Sequence, residues 1–107
     1  MTPRWLPRVL RRIQELVAER KVVFTLKARR ELATLEFGLD HEDAYELLAS
    51  LTAEDSAGRL ASAVTGEWLY VFKPELAGAV LYVKLILRLD CIVVSFHEDA
   101  DGHEEDA

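Results

Sequence analysis

The segment at residues 79–89 carries side chains that could do chemistry. Its even positions include Tyr82, Lys84 and Arg88, whereas all of its odd positions are apolar. Because successive side chains of a strand point to opposite faces, we expect the phenol and the two cations on one face and the apolar set in the core. The apolar set consists of Ala79, Leu81, Val83, Leu85, Leu87 and Leu89.

The next segment, residues 91–97, is predicted to form a hairpin with this strand through a two-residue turn. The resulting register places Tyr82 opposite His97 and Lys84 opposite Ser95, with directly paired Cβ atoms about 5 Å apart. We therefore expect Tyr82, Lys84, Ser95 and His97 to form one polar cluster. The same register turns three apolar side chains of the second strand toward the core, namely Ile92, Val94 and Phe96.

Residues 67–73 are predicted to form the preceding strand, with Lys73 opposite Gly78 across a longer loop. In this register Glu67 lies opposite Lys84, and Lys73 lies at the other end of the same polar face. Three aromatic side chains then join the core face, namely Trp68, Tyr70 and Phe72.

Tyrosine, lysine, arginine and histidine on one face suit an anionic substrate and metal-free acid–base chemistry. Cleavage of RNA through its 2′-hydroxyl needs a base for that oxygen, an acid for the leaving 5′-oxygen and cations for the phosphorane. His97 is suited to act as the acid, and Lys84 or Arg88 to stabilise the charge of the phosphorane. Tyr82 is suited to orient the phosphate or to act on the 2′-hydroxyl. The ordinary alternative is a solvated sheet face, on which such residues are common.

The elements that must position these residues are three helices followed by four strands. Helices are predicted over residues 7–20, over residues 26–37 after an N-cap at Thr25 and before Gly38, and from Asp40 onward with a capping box to Asp43. A short extended piece at 22–24 separates the first two. Strands are predicted at residues 59–65, 67–73, 79–89 and 91–97. This order predicts an α+β domain with helices packed on one face of an antiparallel sheet of about four main strands.

The chain has 107 residues and a net charge of −6, but the charge is unevenly distributed. Residues 1–30 carry nine Lys or Arg against two Glu, whereas residues 98–107 carry six Asp or Glu and no Lys or Arg. Residues 1–97 therefore sum to zero and are predicted to form one domain, followed by a disordered acidic tail at 98–107. An acidic total does not argue against an RNA partner in such a chain.

The remaining composition narrows the class of protein. The single cysteine, Cys91, excludes a disulfide framework and a cysteine-based zinc site. There is no apolar run of membrane-spanning length and no continuous apolar segment typical of a secretory signal. We therefore expect a cytoplasmic domain without a membrane partner.

Five blocks of sequence, in order and at matching spacing, point to a specific family. They are LEFGLD (35–40), LASLTAED (48–55), GEWLYVFKP (66–74), GAVLYVKL (78–85) and DCIVVSF (90–96). The stretch from Lys27 to His97 that contains them resembles the MqsR family of toxins from bacterial type II toxin–antitoxin systems.

The resemblance implies a RelE-like fold and an mRNA endoribonuclease that needs no metal or other cofactor. It also implies inhibition by a cognate antitoxin protein, in a toxin–antitoxin hetero-oligomer. Tyr82 corresponds to a catalytic tyrosine of the family and Lys84 to the lysine after it. The family has a further lysine without a clear counterpart in this chain, and Arg59 is the cation nearest to its position in the sequence. Leu69 stands where the family has glutamine, and His97 where it has lysine, although related RelE-like toxins place a general acid histidine there.

These considerations assign Tyr82, His97, Lys84 and Arg59 to catalysis. The predicted RNA contacts are Arg88, Lys73 and Glu67. A second hypothesis is a catalytically weak RelE-fold module that binds an antitoxin and acts in transcriptional autoregulation. An unrelated small α+β domain is the third.

Overall fold

The computed structural model describes residues 2–36 and 38–99, which form three α-helices on one face of a mixed sheet. The predicted α+β class is confirmed. The helices are α1 (Trp5–Ala18), α2 (Leu26–Thr34) and α3 (His41–Ala49), with a 3-10 turn at Ala53–Asp55. The strands are β1 (Val22–Phe24), β2 (Ser56–Ala61), β3 (Trp68–Phe72), β4 (Glu75–Leu76), β5 (Ala79–Leu87) and β6 (Cys91–Glu98). Their order in the sheet is β1-β6-β5-β3-β2, with β4 also paired to β5.

Local capping determines where α2 and α3 begin. The Ala28 amide donates to Thr25 Oγ1 over 3.1 Å, so Thr25 is the predicted N-cap of α2. Asp40 and Asp43 form the predicted capping box of α3, with each side chain accepting from the backbone amide of the other. The end of α2 differs from the prediction, because the backbone is already extended at Leu35. The helix therefore stops at Thr34, and Phe37 lies outside the described residues.

The core lies between the helices and the odd-numbered side chains of β5. Leu81, Val83 and Leu85 are fully buried, as the alternation predicts, and the aromatic rings of Phe72 and Phe96 pack into the same cluster. Leu89 was predicted in the same apolar set, but it lies past the end of β5 and is 83% exposed. The helix α1 supplies an apolar stripe at helical spacing, consisting of Leu6, Val9, Ile13, Leu16 and Val17. The even-numbered side chains of β5 therefore lie on the face of the sheet that the helices leave open.

The ladder between β5 and β6 follows the predicted register over half of its length. Tyr82 pairs with His97 and Lys84 with Ser95, so the predicted juxtaposition of the polar residues is confirmed. The strand β6 also continues to Glu98, one residue past the predicted boundary.

A β-bulge changes the other half of this ladder. Beyond it Leu85 pairs with Val93, where the prediction placed Val94. The extra residue reverses the parity of the strand, because side chains alternate with a period of two. Cys91 and Val93 are therefore fully buried, whereas Ile92 and Val94 are only half-buried. The prediction that Ile92 and Val94 face the core was wrong.

The strand β3 pairs with β5 four residues away from the predicted register. Val71 lies opposite Lys84, in the place predicted for Glu67. The reason is that the segment predicted as a loop contains β4, which continues the ladder to a tight turn at Ala77 and Gly78. Both turn residues have positive φ, 54° and 84°, as a two-residue hairpin of this type requires. Because the shift is even, every side chain keeps its predicted face.

Two further differences concern the edges of the sheet. The short segment β1 pairs in parallel with β6, so the purely antiparallel prediction is wrong there and correct for the other pairs. At the opposite edge, β2 lies at Ser56–Ala61 where strand was predicted at 59–65, and a bulge separates the pairing of Ser56 from that of Arg59. Bulges of this kind depend on tertiary pairing and leave no clear signal in sequence.

The segment after β6 begins by extending the ladder. The Asp99 amide donates to the carbonyl of Val80 over 2.8 Å. The rest of the predicted tail, residues 100–107, lies outside the described residues. None of the helices within 2–36 and 38–99 combines the length and hydrophobicity needed to cross a bilayer.

The bulge makes a prediction about two adjacent valines. Val93→Ala removes fully buried methyl groups and leaves a cavity, so it should lower the free energy of unfolding by about 2 kcal/mol. Val94→Ala, at a half-buried site, should lower it by less than about 1 kcal/mol. Guanidinium unfolding of both variants measures the difference. A larger loss for Val94→Ala would contradict the bulge.

Candidate active site

The centre of the candidate site is a pair of stacked rings from β5 and β6. Tyr82 and His97 lie opposite each other in the ladder, and their ring centroids are 5.2 Å apart with planes only 12° from parallel. Both side chains are half-buried on the open face of the sheet. The pairing therefore holds a phenol and an imidazole side by side with one edge accessible to solvent.

Two lysines flank the tyrosine ring. Lys84 follows Tyr82 by one alternation of β5, and the common register of β3 and β4 with β5 brings Lys73 across from Tyr82. Each ammonium nitrogen lies 6.0 Å from the centroid of the Tyr82 ring. Lys73 Nζ also lies 3.5 Å from Asp99 Oδ2. The cluster thus presents two cations and one carboxylate beside the stacked rings.

The hydrogen bond of His97 to the backbone determines which nitrogen can exchange a proton. Nδ1 lies 2.8 Å from the carbonyl oxygen of Glu98. A carbonyl oxygen only accepts, so Nδ1 carries the hydrogen and Nε2 is left for chemistry. His97 is therefore oriented to accept or release a proton at Nε2.

The first turns of α2 attach this helix to the edge of β6 just before His97. Glu31 accepts from the Phe96 amide over 2.9 Å, and Lys27 donates to Ser95 Oγ over 3.0 Å. Lys27 Nζ also lies 2.8 Å from the Glu31 carboxylate. These contacts give hydrogen-bond partners to the Phe96 amide at the edge of β6 and to the hydroxyl of Ser95, which is only 2% exposed.

The same contacts change the pKa of Glu31. Burial raises this pKa, but the hydrogen bonds from Lys27 and the Phe96 amide, together with nearby His97, outweigh burial and leave it lowered. The carboxylate is therefore held in its charged form next to the strand that carries His97. Neither α2 residue is indicated as part of the site by the sequence, because their i,i+4 spacing shows only that they can pair with each other.

Arg88 and Glu67 lie together, away from the ring stack. Arg88 lies one residue past the end of β5 and six residues from Tyr82, or about 20 Å at strand spacing. Its Nε and Nη2 each donate over 2.7 Å to the two carboxylate oxygens of Glu67. This bidentate bond lowers the pKa of Glu67 to about 2, with a smaller contribution from the hydrogen bond of Thr65. Of the three predicted RNA contacts, only Lys73 lies beside Tyr82.

Arg59 lies on the other face of the sheet. It pairs with Tyr70, which lies on the side of the sheet that the helices cover. Its guanidinium packs 4.8 Å from the ring centroid of Trp5 and 3.8 Å from that of Trp68. The structure therefore does not bring Arg59 to the ring stack. Leu69, for which the sequence resemblance implies a glutamine in other members, is half-buried in β3 and pairs with Leu60.

Other chemically capable residues do not join this site. Cys91 is buried in the core, and burial raises the pKa of its thiol to about 12, so it is not a nucleophile near neutral pH. Among residues 2–36 and 38–99, no three His, Cys, Asp or Glu side chains are grouped to hold a metal ion. The groups assembled here are an imidazole, a phenol and two ammonium groups, which can bind a phosphate and move protons.

The comparisons with known proteins agree with the resemblance drawn from the sequence blocks. A family model described as "Motility quorum-sensing regulator, toxin of MqsA" matches residues 7–98. No curated protein matches the chain.

The Arg88–Glu67 pair makes stability depend on pH in a defined direction. Because the pKa of Glu67 falls from 4.5 to about 2 on folding, its stabilising effect is present above pH 4.5 and is lost as the pH falls toward 2. Glu67→Gln should therefore be less stable than the parent at pH 7, and the gap should narrow on acidification. Guanidinium unfolding at a series of pH values measures this difference in the free energy of unfolding.

The matched control is Glu75→Gln, which changes an exposed glutamate of β4 and has no ion pair among the described residues. Its difference from the parent should stay small at every pH. A gap for Glu67→Gln that stays constant or widens below pH 4.5 would contradict the assigned pairing.

Proposed function

We propose that the chain, which belongs to the MqsR toxin family, is an endoribonuclease that cleaves mRNA without a metal ion. The family description implies a toxin of a toxin–antitoxin system and an antitoxin partner. Nuclease activity is our proposal, and the observation that carries it is the stack of Tyr82 on His97, with two lysine ammonium groups 6.0 Å from the centroid of the Tyr82 ring. Cleavage of messages would inhibit translation and so arrest growth.

The proposed reaction is transesterification through the RNA 2′-hydroxyl. A bond forms from the 2′-oxygen to phosphorus, and the bond from phosphorus to the 5′-oxygen breaks. The 2′ proton leaves through the hydroxyl of Tyr82 to solvent, and the 5′-oxygen takes a proton from Nε2 of protonated His97. The products are a 2′,3′-cyclic phosphate and a 5′-hydroxyl, and solvent returns the proton to His97.

The lysines stabilise the charge that develops in this reaction. Lys84 and Lys73 each hold an ammonium nitrogen 6.0 Å from the centroid of the Tyr82 ring, so a phosphate bound at the Tyr82 hydroxyl lies near both cations in this proposal. Fixed cations near the phosphorane stabilise the transition state more than the ground state. Asp99 beside Lys73 limits the net charge of the cluster and holds that ammonium in place.

The backbone and α2 act as positioning groups in this proposal. The Glu98 carbonyl keeps the hydrogen on Nδ1, so that His97 works through Nε2. Glu31 and Lys27 bind the two strand residues before His97, which restrains the end of β6. Restraint of this kind keeps the imidazole in the geometry that proton transfer needs.

Substitution of the stacked pair tests the proposal. Purified protein incubated with a message in EDTA should cut it, and His97→Ala should slow the cleavage by roughly 10²- to 10⁴-fold, the usual contribution of a general acid. Tyr82→Phe keeps the stacked ring and removes only the hydroxyl, so any loss isolates the role of that oxygen. Rates are read from the decay of a labelled transcript.

Matched controls are His41→Ala and Tyr45→Phe, which change the same residue types on α3, where His41 packs on Phe24 and Tyr45 contacts Arg20. Both should cleave at the parental rate. An inactive parent, or full activity in both His97→Ala and Tyr82→Phe, would contradict the catalytic assignment. An inactive parent that still binds an antitoxin would favour the binding-module hypothesis.

The acidic C-terminal segment makes a separate prediction about affinity. Residues 100–107 contain four Asp or Glu and no Lys or Arg. A polyanion attached next to the cluster competes with RNA for the same cations, so deleting this segment should tighten RNA binding at low salt. Fluorescence anisotropy with single-stranded RNA measures the affinity. An unchanged affinity would show that the segment does not compete.

A further inference from the structure

A second surface lies on the opposite side of the sheet from the ring stack. A groove of about 680 Å³ runs between α1 and the strands β2, β3 and β5. Its floor is apolar and consists of Trp5 and Val9 from α1, Tyr70 from β3 and Leu87 from β5. The groove is therefore separate from Tyr82 and His97, which occupy the open face.

The rim of this groove is strongly cationic. It carries five arginines, namely Arg4, Arg8, Arg11, Arg12 and Arg59, and one acidic residue, Glu15. Arg12 Nη1 lies 3.4 Å from the Glu15 carboxylate. Within the described part of the chain, Arg4, Arg8 and Arg11 have no carboxylate partner. The apolar floor and unpaired cations match an occupant with apolar side chains flanked by negative charge.

The aromatic rings of this region distinguish between two kinds of occupant. Single-stranded nucleic acid binds such grooves by stacking bases on free ring faces. Here the Arg59 guanidinium lies over Trp5 at 4.8 Å and over Trp68 at 3.8 Å, and the Tyr70 ring packs against Trp5 with centroids 5.5 Å apart. Arg59 therefore covers one face each of Trp5 and Trp68, and Tyr70 packs against Trp5, which leaves fewer open ring faces for base stacking. The floor favours aliphatic and aromatic side chains of a peptide.

We propose that this groove docks an acidic, amphipathic segment of a partner protein. Apolar side chains of the segment pack on Trp5, Val9 and Leu87, while its carboxylates pair with Arg8 and Arg11. Desolvated apolar contact supplies most of the affinity, and the arginine pairs supply orientation and rate of association. Because the groove is on the helix-bearing face, its occupant leaves the ring stack accessible. The inference stands apart from the proposed nuclease activity.

Selection from a random peptide library displayed on phage tests the proposal with the full chain as bait. Enriched peptides should combine Asp or Glu with large apolar residues. Their affinity, measured by anisotropy of the synthetic peptides, should fall about tenfold for Arg8→Glu/Arg11→Glu, the loss expected when charge pairs become repulsive. Arg8→Gln/Arg11→Gln should give a smaller loss, and circular dichroism verifies that both variants fold.

The matched control is Arg29→Glu/Arg30→Glu, which makes the same charge change on the exposed surface of α2. It should leave peptide affinity nearly unchanged. Failure to enrich any peptide, or enriched peptides that lack acidic residues or bind the Arg8/Arg11 variants like the parent, would overturn the proposal.

Measurements on the same variants distinguish two other occupants of the groove, a nucleic acid and a second copy of the chain. If oligouridine binding falls with Arg8→Glu/Arg11→Glu while peptide binding does not, the groove is a nucleic-acid site and the proposal is wrong. If sedimentation shows a dimer that the same variant dissociates, the occupant is a second copy of the chain, which also overturns it. RNA cleavage by the variant should match the parent, so failure of this proposal and of the nuclease proposal are distinguishable.

Discussion

The alternation of side chains along β5 is the constraint on which the rest of the molecule depends. One face of this strand supplies Leu81, Val83 and Leu85 to the core, and the other supplies Tyr82 and Lys84 to the open surface. A shift by one residue would bury the cations and expose the leucines, so the register is strongly determined. The hydrophobic effect that folds the domain thereby also positions the candidate chemistry.

The pairing of β5 with β6 brings the side chains of the candidate site together. Pairing places His97 against Tyr82, and the bulge near Val94 lets the same strand bury Val93 at one end and present His97 at the other. The helix α2 then restrains that end through Glu31. Because these contacts come from three separate segments, the site forms only when the sheet and the helices are assembled.

The helix caps, which have local determinants, are predicted correctly from the sequence, whereas the pairing of the strands is predicted only in part. The caps at Thr25 and Asp40 depend on residues within one helical turn. The Tyr82–His97 pairing was predicted from a two-residue turn, but Leu87 pairs with Cys91 across three residues, and the bulge restores the predicted register beyond Leu85. The placement of Glu67 opposite Lys84 failed because a loop was assumed where β4 continues the ladder. The even shift nevertheless preserved the faces.

The contacts of Arg59 and Glu31 could not be predicted from the sequence. A bulge in β2 comes just before Arg59, which packs on the helix-bearing side against Trp5 and Trp68, and no periodicity in the sequence indicates that bulge. Glu31 contacts a strand 65 residues away, which only the folded topology determines. The net charge of −6 is equally uninformative about partners, because it averages two cationic surfaces with acidic segments elsewhere.

Identification of the RNA ends after cleavage tests the central claim, that Tyr82 and His97 cleave RNA by attack of its 2′-hydroxyl, with Tyr82 at the 2′-oxygen and His97 at the leaving 5′-oxygen. A defined transcript is digested in EDTA, and both new termini are characterised by mass spectrometry. We expect a 2′,3′-cyclic phosphate on one fragment and a 5′-hydroxyl on the other, and no cleavage at a site with a 2′-deoxy substitution. Fragments that carry 5′-phosphates, or cleavage that persists at the deoxy site, would contradict it.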